Sequence, residues 1–251
     1  MEKPQNYYSA LASLDDNEDE DQRSSQKDAG ASQGSGAAKS SGNGKKKKTG
    51  GGRRKEEEVS ADVKVGRVRM PLVWIDLVMS GLDIEKDRIL EIACVVTDGR
   101  LERTFEGPDI IVSQPEEILE GMDVSFREHH AASGLMDGVR ASSVTEEEAE
   151  QEVLKFVRKY TRGNSGQPLL AGNSVYVDLR FLNKYMPTLA AEFSHVLVDV
   201  SSIRALCVRW YPREAEKQPA KQLQHRSLAD IKESIAELKY LRRNIFKQPQ
   251  K

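Results

Sequence analysis

The sequence predicts an α/β domain built on a central mixed sheet flanked by helices, and three observations carry that prediction. Apolar strand-like runs separated by helical stripes fill the chain from about residue 66 onward. The first run, Leu72 to Val78, holds Asp76 as its one polar side chain, as expected for a strand buried on both faces. Glycine- and proline-bearing turns punctuate the later runs, and no internal repeat suggests a solenoid.

After the loop Met79-Ser80-Gly81-Leu82-Asp83, Ile89 to Thr97 forms a second apolar strand, closed by Asp98-Gly99. Phe105 to Val112 supplies a third, with Gly107-Pro108 read as a turn. Thr145 followed by Glu148 matches a capping box, and Ala149, Val153, Phe156, Val157 and Tyr160 give the stripe of a helix. Pro168 to Ala171 begins another strand. Gly172-Asn173-Ser174 then turns into a helix carrying Asp178, Phe181, Leu182 and Tyr185 before Pro187. Val196 to Val200 is a strand, and Ser201 or Ser202 caps a helix reaching about Trp210. Pro212 to Gln224 is a polar connection. Ser227 to Ile245 closes the chain as a helix with Leu228, Ile231, Ile235, Leu238 and Leu241 on one side.

The 251 residues divide into a charged N-terminal tail, 1–65, and a domain, 66–251. The tail is rich in Ser, Gly, Lys, Asp, Glu and Gln, too polar to bury the surface that would offset ordering entropy, and is expected to be disordered. Its acidic stretch, Asp15 to Asp21, precedes a basic cluster, Lys45 to Lys48 with Arg53, Arg54 and Lys55. That cluster reads as a nuclear import signal, an RNA-contacting arm or a solubilising tail. The balance of 40 acidic and 38 basic residues, a formal net charge of -2, argues against a protein that coats nucleic acid by bulk charge. No segment approaches the ~20 apolar residues of a membrane span. The acidic N-terminus, lacking an apolar core, predicts neither secretion nor a mitochondrial presequence, which leaves a nuclear or cytoplasmic location. Cys94 and Cys207 sit inside apolar runs and read as buried thiols in a reducing compartment.

An ionised carboxylate inside an apolar strand needs a metal, a cation or several donors, so Asp76 is the first functional candidate. Asp178 near the start of its helix and Asp230 near the start of the last one each have a plain alternative as acids favoured by the helix dipole. His225, five residues before Asp230, titrates near neutrality and suits a general base.

In combination, VWIDL through MSGLD, DRILEIA, REHHAASGL, LAGNSV through FLNKYMP, DVSSIRALCVRWYP and HRSLADIKESIAEL resemble the oligoribonuclease family of DnaQ-like 3'-to-5' exoribonucleases. The resemblance covers roughly Pro71 to Phe246 and implies an RNase H-like exonuclease fold, generally a homodimer. It further implies hydrolysis of very short RNA with two magnesium or manganese ions. Position by position, Asp76 and Asp230 match metal-binding aspartates, Asp178 a further active-site acid and His225 the general base. Leu82 matches the leucine that wedges between bases, and His130 and Ser174 match phosphate-contacting residues.

Four positions depart from the family. Val78 stands where the family has glutamate, on the same strand face as Asp76, and valine offers no lone pair to a cation. Ser125 replaces a tryptophan whose stacking on a base is worth ~1–3 kcal/mol. His195 and Val196 replace a tyrosine and an arginine that reach across the dimer to the terminal phosphate, and valine cannot supply a guanidinium fork. Glu85 and Asp87 lie beyond the Leu82 loop and Glu91 on another strand, so none is expected to restore the missing ligand. The concerted losses lead to the expectation of a catalytically impaired protein- or RNA-binding subunit, needing no metal, in a ribonucleoprotein. The alternative is an active magnesium- or manganese-dependent exoribonuclease, or a chain inactivated by design at Val78. Short RNA, a protein partner or a second copy are the partners expected, with no membrane.

Overall fold

The computed structural model describes residues 68–164, 166–219 and 226–247, which lie within the unit Ser60–Lys251. The expectations for the tail, 1–65, and for His225 fall outside the described residues. Five strands are present: β1 (Leu72–Met79), β2 (Ile89–Thr97), β3 (Thr104–Ile111), β4 (Leu169–Gly172) and β5 (Leu197–Asp199). They form one sheet in the order β3-β2-β1-β4-β5. β1 lies antiparallel to β2 and parallel to β4, so the sheet is mixed as expected. The central place of β1 accounts for its sequence. Val73, Trp74, Ile75 and Leu77 are buried, on alternating faces. The buried Trp74 indole donates to Thr97 Oγ1 at 3.0 Å, which settles the one polar atom of a large core side chain.

Nine helices surround the sheet among the described residues: α1 (Glu116–Glu120), α2 (Val124–Ala132), α3 (Leu135–Ala141), α4 (Glu146–Thr161), α5 (Tyr176–Tyr185), α6 (Pro187–Ala190), α7 (Val200–Trp210), α8 (Pro212–Ala215) and α9 (Ser227–Asn244). The capping box of Thr145 and Glu148 starts α4 as expected. Ile231, Ile235, Leu238 and Leu241 of α9 join Cys207 of α7 over Trp74, Ala93, Val95 and Ala171. On the opposite face of the sheet, Phe105 of β3 stacks on Tyr160 of α4 with ring centroids 4.5 Å apart. A separate cluster holds Leu90 against Leu119, Met122, Leu135, Met136 and Val139 from the α1–α3 region, and Val78 packs against it. Cys94 and Cys207 are both buried and free.

Three sequence expectations are corrected. Gly107-Pro108 lies inside β3 and is not a turn. β3 is an edge strand whose register with β2 slips between Ala93 and Val95, and an edge or bulge is where a strand tolerates proline. Gly107 is required there because a Cβ would sit 2.4 Å from the Phe156 ring. β5 is shorter than expected and Val200 begins α7, whose cap is Asp199 rather than Ser201 or Ser202. The Asp199 carboxylate accepts from the Ser201 N–H at 3.0 Å and so outcompetes the hydroxyls as acceptor. Helices α1, α2, α3, α6 and α8 have no counterpart in the sequence reading, because four of them are too short to show a stripe and α2 is barely amphipathic.

Replacing Thr97 with valine is expected to leave the Trp74 N–H buried without an acceptor and to cost about 1–3 kcal/mol. Thermal unfolding of Thr97→Val beside Thr97→Ser checks this, the serine variant staying close to the parent.

Candidate active site

The site forms where β1 outruns its neighbour. The β1–β4 ladder ends at Trp74 opposite Ala171, and beyond it the backbone of β1 has no strand partner on that side. Gly172 turns the chain closely over β1, with room for a Cβ only 3.1 Å from the Ile75 carbonyl oxygen. Ser174 follows with a left-handed φ of 55°, its N–H donating to Asp199 Oδ1 at 3.0 Å. The turn delivers α5, and in its first turn Asp178 swings back onto β1. Asp178 Oδ1 accepts the Leu77 N–H at 2.9 Å, the N–H of the residue between Asp76 and Val78.

From the other direction α9 brings Asp230 in its first turn. Asp76, Asp178 and Asp230, drawn from three distant segments, thus share one place. Burial, then the charges of Asp178 and Asp230, raise Asp76 well above the usual carboxylate range; the Ser227 hydroxyl opposes this in part, and Glu91 adds to it. Burial pushes Asp178 to about 8, although the Leu77 N–H works against the shift. Crowded carboxylates that resist ionisation mark a place lacking positive charge, and an all-oxygen donor set suits a hard divalent cation. Val78 contributes a half-buried isopropyl group packed against the Leu90 cluster, and among the described residues no three His, Cys, Asp or Glu side chains stand close enough to enclose an ion.

The three acids considered as replacements lie where the sequence placed them, two beyond Leu82 and one on another strand, and each is engaged elsewhere. Glu85 pairs with Lys184 at 2.8 Å. Asp87 closes the Leu82 loop, accepting from Ser80 Oγ and the Asp83 N–H, each at 2.8 Å. Glu91 is on another strand but sits directly opposite Val78 in the β1–β2 register, where paired residues share a face. Its carboxylate is fully buried and turned to α9, accepting from Arg226 Nε at 2.9 Å and the Ser227 N–H at 3.2 Å. Sequence reasoning missed this role because only the pairing register reveals it.

Beyond Val78 an open cleft of about 560 Å³ is lined by Leu82 with Gly81, Glu117, Ile118 and Phe126. Phe126 is the second residue the sequence reading passed over. It follows Ser125 on α2 and gives the cleft an aromatic ring where Ser125 has none. His130 is buried, and its Nε2 donates to the Met79 carbonyl at 3.1 Å, tying α2 to the end of β1. Ser174 is buried with its hydroxyl 3.4 Å from that of Ser201. His195 and Val196 are exposed just before β5. No helix among the described residues is long and apolar enough to cross a membrane.

Comparison with known proteins gives the family and the fold. Residues 73–238 match the family model described as Exonuclease. The chain is 56% identical over 189 residues to the oligoribonuclease of Arabidopsis thaliana, covering 75% of this chain and 84% of that one. It is 49% identical over 177 residues to the human protein named mitochondrial oligoribonuclease, covering 70% and 74%. Among solved structures, exonuclease I from Methylocaldum szegediense superposes with a TM-score of 0.53 at 16% identity, over 70% of this chain and 41% of that one. The chain spans about two fifths of that longer protein, and the likeness is one of fold.

Because Asp178 is protonated to about 8 when folded, against 3.8 ordinarily, the folded state holds a proton that the unfolded chain releases. Metal-free stability is therefore expected to fall as pH rises across that window. Asp178→Asn keeps an oxygen for the Leu77 N–H and is expected to flatten the dependence, gaining of order 1 kcal/mol or more near its upper end. Melting temperatures in a chelator from about pH 5 to 8 test this, and equal slopes for parent and variant would refute it.

Proposed function

The chain belongs to the oligoribonuclease family of exonucleases, and from that premise we propose that it removes nucleotides from the 3' end of very short RNAs on a reduced set of metal ligands. The observation that supports this most is the convergence of Asp76, Asp178 and Asp230 at the end of β1 beside a cleft walled by Leu82 and Phe126. In this reading Asp76 and Asp230 hold the cation and Asp178 is the further acid beside them. Bound magnesium or manganese supplies positive charge that polarises the scissile phosphate and stabilises the charge developing on it. His225 accepts the proton of the attacking water. Leu82 separates the two bases, and Phe126 offers the apolar wall that Ser125 does not. Ser174 and His130 shape the phosphate side, His130 chiefly by fixing Met79 through its ring nitrogen. With Val78 in place of an acid, one ion is held where the family holds two, and turnover is slow.

A second reading is favoured by Val78, Ser125 and Val196 taken together: a binding subunit that keeps the fold and grips RNA or a protein without hydrolysing it. Val196 is 47% exposed and uncharged, so this chain offers no guanidinium there to a phosphate held across a homodimer.

Cleavage of a labelled RNA dinucleotide in magnesium and in manganese separates the two. Slow release is expected from the parent and none from Asp76→Ala. Val78→Glu is expected to raise the rate at least ~10²-fold, because several kcal/mol of transition-state stabilisation return with the second ion. Release from Val78→Glu and none from the parent would establish the binding subunit instead.

A further inference from the structure

α9 begins without a cap of its own. Its N-cap residue, Arg226, has extended dihedrals and makes no side-chain hydrogen bond to the helix, so the first N–H groups need partners from elsewhere. Glu91 supplies one from β2. Its carboxylate, 0% exposed, accepts the Ser227 N–H at 3.2 Å and the Arg226 Nε at 2.9 Å across 135 residues of sequence. The carboxylate meets both the positive end of an 18-residue helix and a guanidinium, which offset part of the cost of burying it, although burial still pushes its pKa up to about 7. The two residues that grip Glu91 are the last before α9 and its first. One helical turn on, Asp230 donates its N–H to the Arg226 carbonyl at 3.0 Å, so the place of Asp230 is set by the same two residues.

We propose that Glu91 is a positioning residue: from β2 it fixes the first turn of α9 on the sheet and thereby sets Asp230 beside Asp76, where both would hold one cation. Val78 contributes to this arrangement. It stands opposite Glu91 in the strand register, and an apolar neighbour leaves the Glu91 carboxylate undivided between α9 and β1. Glu91 does not replace the acid absent at position 78, because its oxygens are already committed to Arg226 and Ser227. The inference rests on the proposal that Asp76 and Asp230 hold a cation.

The test uses the full chain and the variants Glu91→Gln, Arg226→Gln, their double and Asp76→Ala. Two quantities are measured: affinity for Mn²⁺ by calorimetric titration, and hydrogen exchange of the Ser227 and Asp230 amides in the absence of metal. Glu91→Gln is expected to weaken Mn²⁺ about tenfold and to speed exchange at both amides at least tenfold, with the amides of Trp74 and Ile75 unchanged; these folds are of the size that partners supporting a metal ligand control. Arg226→Gln, which leaves the buried Glu91 carboxylate with the Ser227 N–H as its partner, is expected to do the same more weakly, and the double variant to fall short of the sum. Folded single variants with parental Mn²⁺ affinity and parental exchange would overturn the proposal. Parental Mn²⁺ affinity in Asp76→Ala would instead overturn the cation site itself, and exchange at the two amides would then decide by itself whether Glu91 holds α9.

Discussion

Putting carboxylates at the centre of a buried sheet is the constraint on which this molecule turns. β1 is largely buried, and an acid on it is costly unless donors or cations are brought to it. The chain meets that demand with backbone. The Leu77 N–H, left free where the β1–β4 ladder stops, goes to Asp178. The tight passage at Gly172 and the left-handed Ser174 exist to turn α5 so that this bond closes. Asp199 secures both ends of the arrangement, accepting from the N–H of Ser174 and from that of Ser201 at the start of α7.

Donors offset only part of the burial of Asp178 and Glu91, which stay raised to about 8 and about 7, and Asp76 carries both burial and the repulsion of neighbouring acids. Its charged neighbours are other acids, the Ser227 hydroxyl offsets them in part, and an added positive charge would favour its ionised form. Val78 changes the terms of this without removing it. An acid there would face Glu91 across the strand pair and would leave the apolar cluster of Leu90, Leu119 and Met136 without the side chain now packed on it. Valine removes one repulsion and gains apolar contact, so the substitution favours the metal-free fold at the expense of cation affinity. That is the direction expected when stability and a charged site compete for the same position.

The sequence was informative where physics acts over short range. The five strands, the capping box at Thr145 and the stripe of α9 were legible because period and cap chemistry are local. The short helices from Glu116 to Ala141 were not, since a helix of five to nine residues owes its existence to the cluster it joins. The same division runs through the site. Asp76 was conspicuous in an apolar strand, and Asp178 and Asp230 gained meaning from the family resemblance. Glu91 looked unconnected, because nothing within β2 indicates that it stands opposite Val78 or that its carboxylate reaches the start of a helix 135 residues away.

Phe126 extends the argument to the cleft. A base can be held by any ring that presents a face at the right depth, and adjacent residues on a helix project about 100° apart. A ring at 126 therefore meets the cleft at another angle than one at 125 would, while Leu82 opposite is kept in place by the Asp87 loop closure. The cleft walled by Leu82 and Phe126 and the cluster of Asp76, Asp178 and Asp230 are built from different elements. α2, tied to β1 through His130 and Met79, is the element that couples them: a shift of the Phe126 ring is transmitted to the residue next to Val78. The cleft wall and the end of β1 are thus joined through one buried hydrogen bond.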